Sequence, residues 1–262
     1  MNRPGNNHSN LEIDFAELYD SHPEYDARRR ENSPERAQIQ LEVEHFKLPY
    51  LLRLMNGLQI RSVLEIGCAT GELIAAFPTV EGGVRMGIDI SQRNIEVARE
   101  RFPFVQFQSG DFRQLDLPRF DVVILSDILE HVLDDANFLL EASNLATQVL
   151  VNLPLECNWL NRKRAYGPTD ISGHLRSYDL NKGLDLFRSA GLEVKNWQQV
   201  WVHETEAEKL RRTLRIQQQG QAFAGGPVGS RIRQSVSAMA RVFPPFGRRL
   251  FASNLFALAS KP

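Results

Sequence analysis

The stretch "VLEIGCATG", residues 63–71, decides the fold that we expect for this chain. It is an apolar run with one acid, Glu65, that breaks into small residues between Gly67 and Gly71. Glycine at such a turn lets the backbone curl tightly and approach another group without a clash at Cβ. Because ligands of parallel α/β sheets bind outside the carboxyl ends of strands, the turn is a candidate binding loop whose N–H groups favour a carboxylate or phosphate.

Apolar runs and helical spacings alternate on both sides of this loop. Strands are predicted at 62–66, 84–90, 105–108, 121–125, 148–151 and 192–202, and the closing "NLFALAS" predicts a seventh beside the sixth. Helices are predicted between them at 71–77, 91–101, 137–146 and 179–190, and before them at 11–19 and 34–55. Strands separated by helices imply crossover connections, so we predict an α/β fold with a mostly parallel sheet.

Length and composition narrow the class of protein. The 262 residues are 42% hydrophobic, which suits one large α/β domain or two small ones. No apolar run approaches the length of a membrane-spanning helix, and the polar first ten residues lack the apolar stretch of a signal peptide. Two cysteines, Cys68 and Cys157, are too few for a disulfide framework. We therefore expect a cytoplasmic protein.

The near-zero net charge conceals an asymmetry along the chain. After Glu208 there is no acid, and ten Lys and Arg residues follow, so residues 1–208 carry a net charge of −11. A basic end can bind an anionic partner such as a phosphate-bearing substrate, a nucleic acid or a membrane surface. The alternative is that it pairs with the acidic body of the same chain. Within it we expect a flexible connection at 217–230 and a helix at 231–243.

Two acids follow the next strands. Asp89 ends the second predicted strand, 22 residues after Gly67, where an acid can accept hydrogen bonds from both hydroxyls of a ribose. The alternative is that Asp89 only stabilises the start of the next helix beside Ser91. Asp111 follows the third strand, where it can accept from an adenine amino group with Phe112 stacked on the ring. A turn-forming role for Asp111 is the alternative.

The spacing of the glycines distinguishes two kinds of ligand. A pyrophosphate-binding loop is expected to read G-x-G-x-x-G, whereas Gly67 and Gly71 are spaced G-x-x-x-G with Ala69 between them. Glu65, two residues before the first glycine, would repel a pyrophosphate and suits a ligand with an ammonium group. The loop therefore favours a nucleoside that carries an amino group over a dinucleotide.

Taken in order, "VLEIGCATGEL", "GIDIS", "GDF" and "FDVVILSDILEHV" resemble the motifs of class I S-adenosylmethionine-dependent methyltransferases. The chain is most similar to small-molecule enzymes such as the ubiquinone-pathway O-methyltransferases, over residues 60–202. The resemblance implies a Rossmann-like, doubly wound, mostly parallel sheet of seven strands with an antiparallel last strand. It implies S-adenosylmethionine as the cofactor. Its methionyl part would be held by Glu65, Gly67 and Gly71 and its ribose by Asp89. Its adenine would be held by Ile90, Asp111 and Phe112.

The same resemblance implies a division of the chain. Residues 1–60 would form an N-terminal helical segment that acts as a lid, with Tyr19 and Tyr25 as contacts. Packing of these helices on the sheet, with no lid role, is the alternative. Residues 61–262 would form the methyltransferase domain, with a basic insertion at 203–252 before the last strand. Ala69 departs from the family, many members of which have a third glycine at that position.

The candidates for chemistry cluster after the fourth strand. If that stretch is a helical turn, Asp127, Glu130 and His131 lie on one face. His131 could act as a general base, or the three could bind a hard cation, or they could simply fix the start of a helix. His174 in "GHLRSYDL" is a second candidate, and a loop histidine bonded to the backbone is its alternative. We expect Glu130, His131 and His174 to be catalytic, and we expect no bound metal.

The resemblance implies methyl transfer to a small-molecule or a lipid- or sugar-linked acceptor, with oxygen as the favoured atom. One alternative is an RNA 2′-O-methyltransferase, because the small-RNA enzymes are similar in an acid-x-x-Glu-His group followed by a later histidine. The basic end shows little of the aromatic interleaving that a single-strand platform needs, which argues against nucleic acid. Another alternative is a membrane- or protein-binding module with a vestigial donor site, since residues 240–260 mix arginines with bulky apolar residues.

Overall fold

A computed structural model describes residues 15–21, 23–158, 161–167, 170, 173–202, 205–219 and 253–262. Its strands are β1 (Ser62–Ile66), β2 (Val84–Asp89), β3 (Gln106–Ser109), β4 (Phe120–Ser126), β5 (Ala146–Leu155), β6 (Glu193–Trp201) and β7 (Ser253–Ser260). Its α-helices are α1 (Phe15–Ser21), α2 (Pro23–Arg29), α3 (Pro34–Glu42), α4 (Leu48–Met55), α5 (Glu72–Ala76), α6 (Gln92–Arg101), α7 (Asp135–Ser143), α8 (Leu180–Ser189) and α9 (Glu206–Gln219). A π-helical turn (Val43–Lys47) and two 3-10 turns (Phe112–Gln114 and Leu129–His131) complete the regular structure of these ranges.

The strands form one seven-stranded sheet in the order β3-β2-β1-β4-β5-β7-β6. β1 pairs in parallel with β2 and β4, and the parallel part continues to β3 on one side and to β5 on the other. β7 lies between β5 and β6 and runs antiparallel to both. The predicted α/β, Rossmann-like, doubly wound and mostly parallel sheet with an antiparallel last strand is therefore confirmed.

Helices cover both faces of the sheet, which is why its parallel strands are apolar on both sides. On β1, Val63 packs into a cluster with α4, α5 and α6, whereas the next residue, Leu64, packs into a cluster with α7 and α8. Both side chains are fully buried. Alternate side chains of the strand therefore pack into two hydrophobic cores, one on each face of the sheet, and the loop that follows β1 lies between these cores.

The boundaries around β5 differ from the sequence prediction. The strand predicted at 148–151 runs from Ala146 to Leu155, and the helix predicted to reach residue 146 ends at Ser143. The residues added after Val151 pair with β7, as far as Leu155 opposite Ser253. This pairing joins segments about one hundred residues apart in sequence, so no local pattern reports it.

The N-terminal helices agree with the sequence pattern where the structure describes them. The helix predicted at 34–55 is α3, the π-helical turn and α4 in one continuous stretch. Ser33 caps its start, because its Oγ accepts a hydrogen bond from the Arg36 N–H at 3.1 Å. Of the helix predicted at 11–19, residues 15–19 belong to α1 and the earlier ones lie outside the described residues.

The predicted basic insertion contains a helix that the sequence pattern missed. α9 runs from Glu206 to Gln219, so the flexible connection predicted at 217–230 begins inside a helix. Arg211 of α9 pairs with Glu42 of α3 at 2.9 Å, which supports pairing between the basic end and the acidic body. The helix predicted at 231–243 lies outside the described residues. Among the residues that are described, no helix is long and apolar enough to cross a membrane.

Gly71, which opens α5, is required by packing. Its φ is +86°, and an added Cβ would lie 2.7 Å from Phe107 and 3.3 Å from Ala98. We expect Gly71→Ala to lower the free energy of unfolding by about 2–4 kcal/mol, because backbone strain and overpacking both contribute. In the control Gly82→Ala the φ is +72° but no described atom lies within 4 Å, so only strain of about 1–2 kcal/mol remains. Urea unfolding compares the two variants, and equal losses would contradict the packing argument.

Candidate active site

A cleft of about 2020 Å³ opens at the carboxyl ends of the parallel strands. Its walls include Gly67 after β1, Asp89 at the end of β2, Asp111 after β3 and Glu130 after β4, and the N-terminal helices close another side. Small-molecule pockets usually enclose roughly 300–1,000 Å³. The cleft therefore has room for two ligands side by side, at the edge of the sheet where this class of fold binds its ligands.

The glycine loop after β1 is held by the protein's own hydrogen bonds. The N–H groups of Gly67 and Cys68 donate to the Ile88 carbonyl at 2.7 and 3.0 Å, and the Ala69 N–H donates to Asp89 at 2.8 Å. Because these three donors are satisfied inside the protein, they do not support the predicted binding of a carboxylate or phosphate. The loop contributes to the cleft through the surface of Gly67 and Ala69, both of which line it.

The two glycines of the loop keep side chains away from other parts of the protein. Gly67 has a φ of +77°, and an added Cβ would lie 2.6 Å from the Ile128 side chain, which itself lines the cleft. Gly71 does not line the cleft, and its small size is needed against Phe107. Gly67 thus remains a candidate for contact with the cofactor, whereas the position of Gly71 gives it only an indirect role.

Glu65 also lies behind the cleft wall. Its carboxylate is 3% exposed, is absent from the lining of the cleft, and has one oxygen, Oε2, with no hydrogen-bond partner among the described residues. Burial raises the pKa of Glu65 to about 8, although the nearby charge of Lys47 opposes that shift. A direct contact of Glu65 with a bound amino acid, as the sequence led us to expect, is not available in this arrangement.

Asp89 ties the glycine loop to the start of α6. Its Oδ2 accepts the Ala69 N–H, and its Oδ1 accepts the Ser91 N–H at 2.9 Å and the Asn94 side-chain amide at 3.3 Å. Burial raises its pKa above the usual value, and the hydrogen bonds from Ser91 and Ala69 oppose the shift. A carboxylate has about four acceptor positions, so one on Oδ2 is left for a ligand hydroxyl. Asp89 can therefore take one hydrogen bond from a ribose rather than two.

The three residues predicted around adenine all line the cleft. Ile90 is half-exposed there, but Phe112 is only 5% exposed and packs edge-to-face against Phe138 with ring centres 5.0 Å apart. Stacking on the face of Phe112 is therefore not supported. Hydrogen bonds from Arg113 to both carboxylate oxygens of Asp111 lower the pKa of that acid below its ordinary value. An adenine amino group would have to displace Arg113, which is exposed.

Asp127 does not join the cluster in which the sequence grouped it. It has a left-handed backbone, with φ +53°, and its carboxylate pairs with Lys47 at 2.7 Å and accepts from Asn152 at 3.1 Å. The turn that follows is a 3-10 helix starting at Leu129, so the spacing of an α-helical face does not apply. The prediction that Asp127, Glu130 and His131 lie on one helical face is therefore wrong for Asp127.

Glu130, His131 and His174 do come together. One ligand-type atom from each lies within 4.8 Å of the other two, and the two imidazole rings are perpendicular with centres 4.7 Å apart. Glu130 is 1% exposed, and neither of its carboxylate oxygens has a hydrogen-bond partner among the described residues. Burial, then the charge of Asp127, raise its pKa well above the ordinary value. The cluster predicted to be catalytic thus lies on the cleft wall.

His131 is held as a neutral ring. Its Nδ1 lies 3.1 Å from the Gly173 carbonyl, which can only accept, so Nδ1 carries the proton and Nε2 keeps a lone pair. The Tyr19 hydroxyl lies 3.4 Å from the same nitrogen. Burial, then the neighbouring His174, lower the pKa of His131 to about 4. At neutral pH it is therefore an acceptor, and a weak base.

The cluster has the chemistry of a cation site as well as that of a base. Two imidazoles and a carboxylate are ligand types shared by several divalent metals. The two unpartnered, buried oxygens of Glu130 are the observation that favours such a group. Asp127, paired with Lys47, is not a member of it. The expectation of no bound metal stays a prediction.

Sequence reasoning missed several residues around this site. Lys47 and Asn152 fix Asp127, and the Asn152 side-chain oxygen accepts from Asn254 of β7 at 2.8 Å. No local pattern identifies such residues, because they meet only in the folded sheet. Glu156 contacts His174 at 2.7 Å and directly follows β5. An acid after a strand end is a signal, but the strand was predicted to end at 151.

The N-terminal helices dock against the start of α6. Arg29 is 8% exposed and donates to Asn94 at 2.8 Å and to Ser91 at 3.4 Å. Ser91 and Asn94 in turn both donate hydrogen bonds to Asp89. This docking brings Tyr19 and Tyr25 onto the cleft wall, as the lid interpretation requires. Movement of the segment as a lid stays a prediction.

An open α/β sheet whose cleft lies at the carboxyl strand ends, beside a buried acid that closes β2, defines a nucleoside- or nucleotide-binding protein of the Rossmann-like class. The comparison with protein families is more specific. Residues 63–148 match the family model of the methyltransferase domain. Over these residues the chain is similar to methyltransferases, which confirms the resemblance seen in its motifs.

Two curated proteins illustrate the relationship. A ubiquinone biosynthesis O-methyltransferase of Vibrio atlanticus is 30% identical over 111 residues, which cover 40% of this chain and 46% of that protein. A probable S-adenosylmethionine-dependent methyltransferase of Mycolicibacterium smegmatis is 27% identical over 146 residues, covering 55% of this chain and 56% of that protein. The chain therefore spans about half the length of the curated relatives that it matches.

Solved structures agree on the architecture. The magnesium protoporphyrin IX methyltransferase of Synechocystis, solved with bound SAH, superposes with a TM-score of 0.58 at 14% identity. The match covers 95% of this chain and 98% of that one. At this identity the likeness establishes the fold alone.

Glu65 gives the site a pH dependence that can be measured. The folded protein keeps Glu65 protonated up to pH about 8, whereas the unfolded chain releases that proton near the ordinary value of 4.5. Stability from this group is therefore complete below pH 4.5 and is lost as the pH rises toward 8. We expect Glu65→Gln, which cannot ionise, to gain about 1.4 kcal/mol per pH unit over the wild type between roughly pH 5 and 8.

Urea unfolding at several pH values measures this gap. Glu193→Gln, at an exposed position of β6, is the control and should run parallel to the wild type. If the Glu65→Gln curve also ran parallel, the raised pKa would be contradicted.

Proposed function

We propose that this chain is an S-adenosylmethionine-dependent methyltransferase that acts on an oxygen of a small-molecule acceptor or of a lipid- or sugar-linked one. The observation that carries the proposal is Asp89, a buried acid on the cleft wall with one acceptor position left beside the loop after β1. The methyltransferase family match supports the reaction, and the similarity to the Vibrio ubiquinone biosynthesis O-methyltransferase supports oxygen as the acceptor atom.

The donor would lie across the ends of β1 and β2. A ribose hydroxyl would donate to Asp89 Oδ2, and the adenine would lie against Ile90, with Asp111 within reach if Arg113 turns away. The methionyl part would pass over Gly67 and Ala69. Glu65, which is uncharged below pH about 8, and Gly71 would act from behind the wall, through the packing of β1 and α5.

The acceptor would occupy the part of the cleft near Glu130, His131 and His174. Methyl transfer from a sulfonium needs an aligned nucleophile in a dry pocket, and an alcohol also needs a base for its proton. The two imidazoles are suited to that task, because each offers an unprotonated nitrogen when its Nδ1 donates to Gly173 or Glu156. A divalent cation held by the same three residues would instead lower the pKa of the acceptor hydroxyl.

RNA methylation is less well supported than a small-molecule acceptor. The four-residue metal group of the small-RNA enzymes would need Asp127, whose carboxylate here pairs with Lys47 at 2.7 Å. The part of the basic end that pairs with Glu42 is also engaged within the chain.

Donor binding tests the proposal at Asp89. We expect calorimetric titration to give S-adenosylmethionine binding for the wild type and at least tenfold weaker binding for Asp89→Ala, since one good hydrogen bond to a charged group contributes about 1.5–3 kcal/mol. Asp185→Ala, at an exposed position of α8, is the control. Thermal unfolding of each variant separates lost binding from lost folding.

Competition by nucleosides gives a sharper form of this test. Adenosine should compete with the donor better than 2′,3′-dideoxyadenosine does, and the preference should vanish in Asp89→Ala. A wild type that bound no S-adenosylmethionine, or that preferred neither nucleoside, would remove the proposed ribose contact.

Methyl transfer from radiolabelled donor to a panel of phenols, lipid-linked and sugar-linked hydroxyl compounds tests the cluster. We expect at least one of His131→Gln and His174→Gln to lower kcat by about 10²–10⁴-fold, as loss of general-base catalysis does, with unchanged donor binding. His45→Gln, on the exposed side of the π-helical turn, is the control. Assays with and without EDTA distinguish a base from a bound cation. Full activity in both histidine variants would exclude the cluster from the reaction.

A further inference from the structure

We propose that Glu156 is a positioning residue that turns His174 into the proton acceptor of the cluster. This inference rests on the proposed function, and it assigns a role to a residue that no motif marks. Glu156 follows β5 and does not line the cleft, so it does not itself touch a ligand. It acts through the imidazole of His174, which does line the cleft.

The hydrogen bond between the two side chains fixes the tautomer of the ring. His174 Nδ1 lies 2.7 Å from Glu156 Oε2. Arg164 Nη1 lies 2.9 Å from the other carboxylate oxygen, so Glu156 is held as an anion and can only accept. Nδ1 must then carry the ring proton, which leaves the lone pair on Nε2. Such a partner on the far nitrogen sets which nitrogen of a histidine is free to react.

Glu156 is itself held on two sides. Its carboxylate meets Arg164, whose guanidinium is also fixed by two hydrogen bonds to Asp170, at 2.7 and 2.8 Å. Its backbone carbonyl accepts from the Asn161 side chain at 3.2 Å. The Arg164–Asp170 pair survives without Glu156, so removal of the Glu156 carboxylate should not release the loop.

Among the described residues, no carboxylate contacts Nδ1 of His131 as Glu156 contacts Nδ1 of His174. His131 Nδ1 donates to the neutral carbonyl of Gly173, which offers no charge to stabilise an imidazolium. His174, with an anion behind it, can accept a proton and remain paired, as in other carboxylate–histidine dyads. The two rings are 4.7 Å apart, so only one of them can become a cation without repelling the other.

The proton and electron balance of the step is complete without another reactant. The acceptor oxygen forms a bond to the methyl carbon as the bond from that carbon to sulfur breaks, and the electron pair of the broken bond stays on sulfur. The sulfonium donor becomes neutral S-adenosylhomocysteine. The acceptor's O–H proton moves to Nε2 of His174, and the new imidazolium is stabilised by Glu156.

Nitrogen NMR of the six histidines, with labelled imidazoles, tests the tautomer without any acceptor. His174→Gln assigns the peaks of that ring. We expect His174 to be an Nδ1–H tautomer in the wild type and in Glu156→Gln, whose amide oxygen can still accept, and to lose that form as its major species in Glu156→Leu. An unchanged tautomer in Glu156→Leu would overturn the proposal.

Kinetics test the consequence with the acceptor found in the panel above. We expect Glu156→Leu to lower kcat by about 10- to 100-fold, the usual effect of removing an orienting partner, with KM and donor affinity unchanged. Glu156→Gln should recover part of the loss. Glu96→Leu, on the exposed face of α6, is the control. A full kcat in Glu156→Leu would overturn the role, whereas absent donor binding in the wild type would count against the proposed function and leave the NMR result to stand alone.

Discussion

The buried carboxylate of Asp89 is the constraint on which the site depends. It closes β2, and its hydrogen bonds hold both the loop after β1, through Ala69, and the start of α6, through Ser91. A buried charge is tolerated only when its oxygens are satisfied, so the position of each loop is set by the need to satisfy this acid. The loop can then present Gly67 to the cleft although its own N–H groups are already used inside the protein.

The opposite wall of the cleft rests on the same group of residues. Arg29 reaches Asn94 and Ser91, which contact or surround Asp89, and carries α1 and α2 onto the start of α6. Tyr19, on α1, then lies beside His131 at 3.4 Å. The acid that would hold the donor and the helices that would cover it are therefore coupled through shared hydrogen-bond partners. Loss of one would be felt by the other.

The fold could be predicted almost entirely, because it follows from local patterns. The strands of the parallel part alternate with helices, and each apolar run is long enough to identify. The site was predicted less completely. Asp89, His131 and His174 lie on the cleft wall, but Glu65 and Gly71 lie behind it, since a motif records which residues are needed and not whether they are needed for packing or for contact. Contacts between segments that are distant in sequence, such as the pairing of Lys47 with Asp127, could not be predicted from local sequence patterns.

The pairing of Asp127 with Lys47 determines which residues form the cluster, namely Glu130, His131 and His174. Lys47 pairs with this acid, and the Asn152 carbonyl accepts a hydrogen bond from the Asp127 N–H, in a left-handed conformation that Asp tolerates better than most residues. Burial, and then the charge of Asp127, raise the pKa of Glu130 well above its ordinary value. A cation would bind the two unpartnered oxygens of Glu130, and an alcohol would give its own proton to an imidazole, so the occupant decides which chemistry the same three side chains perform.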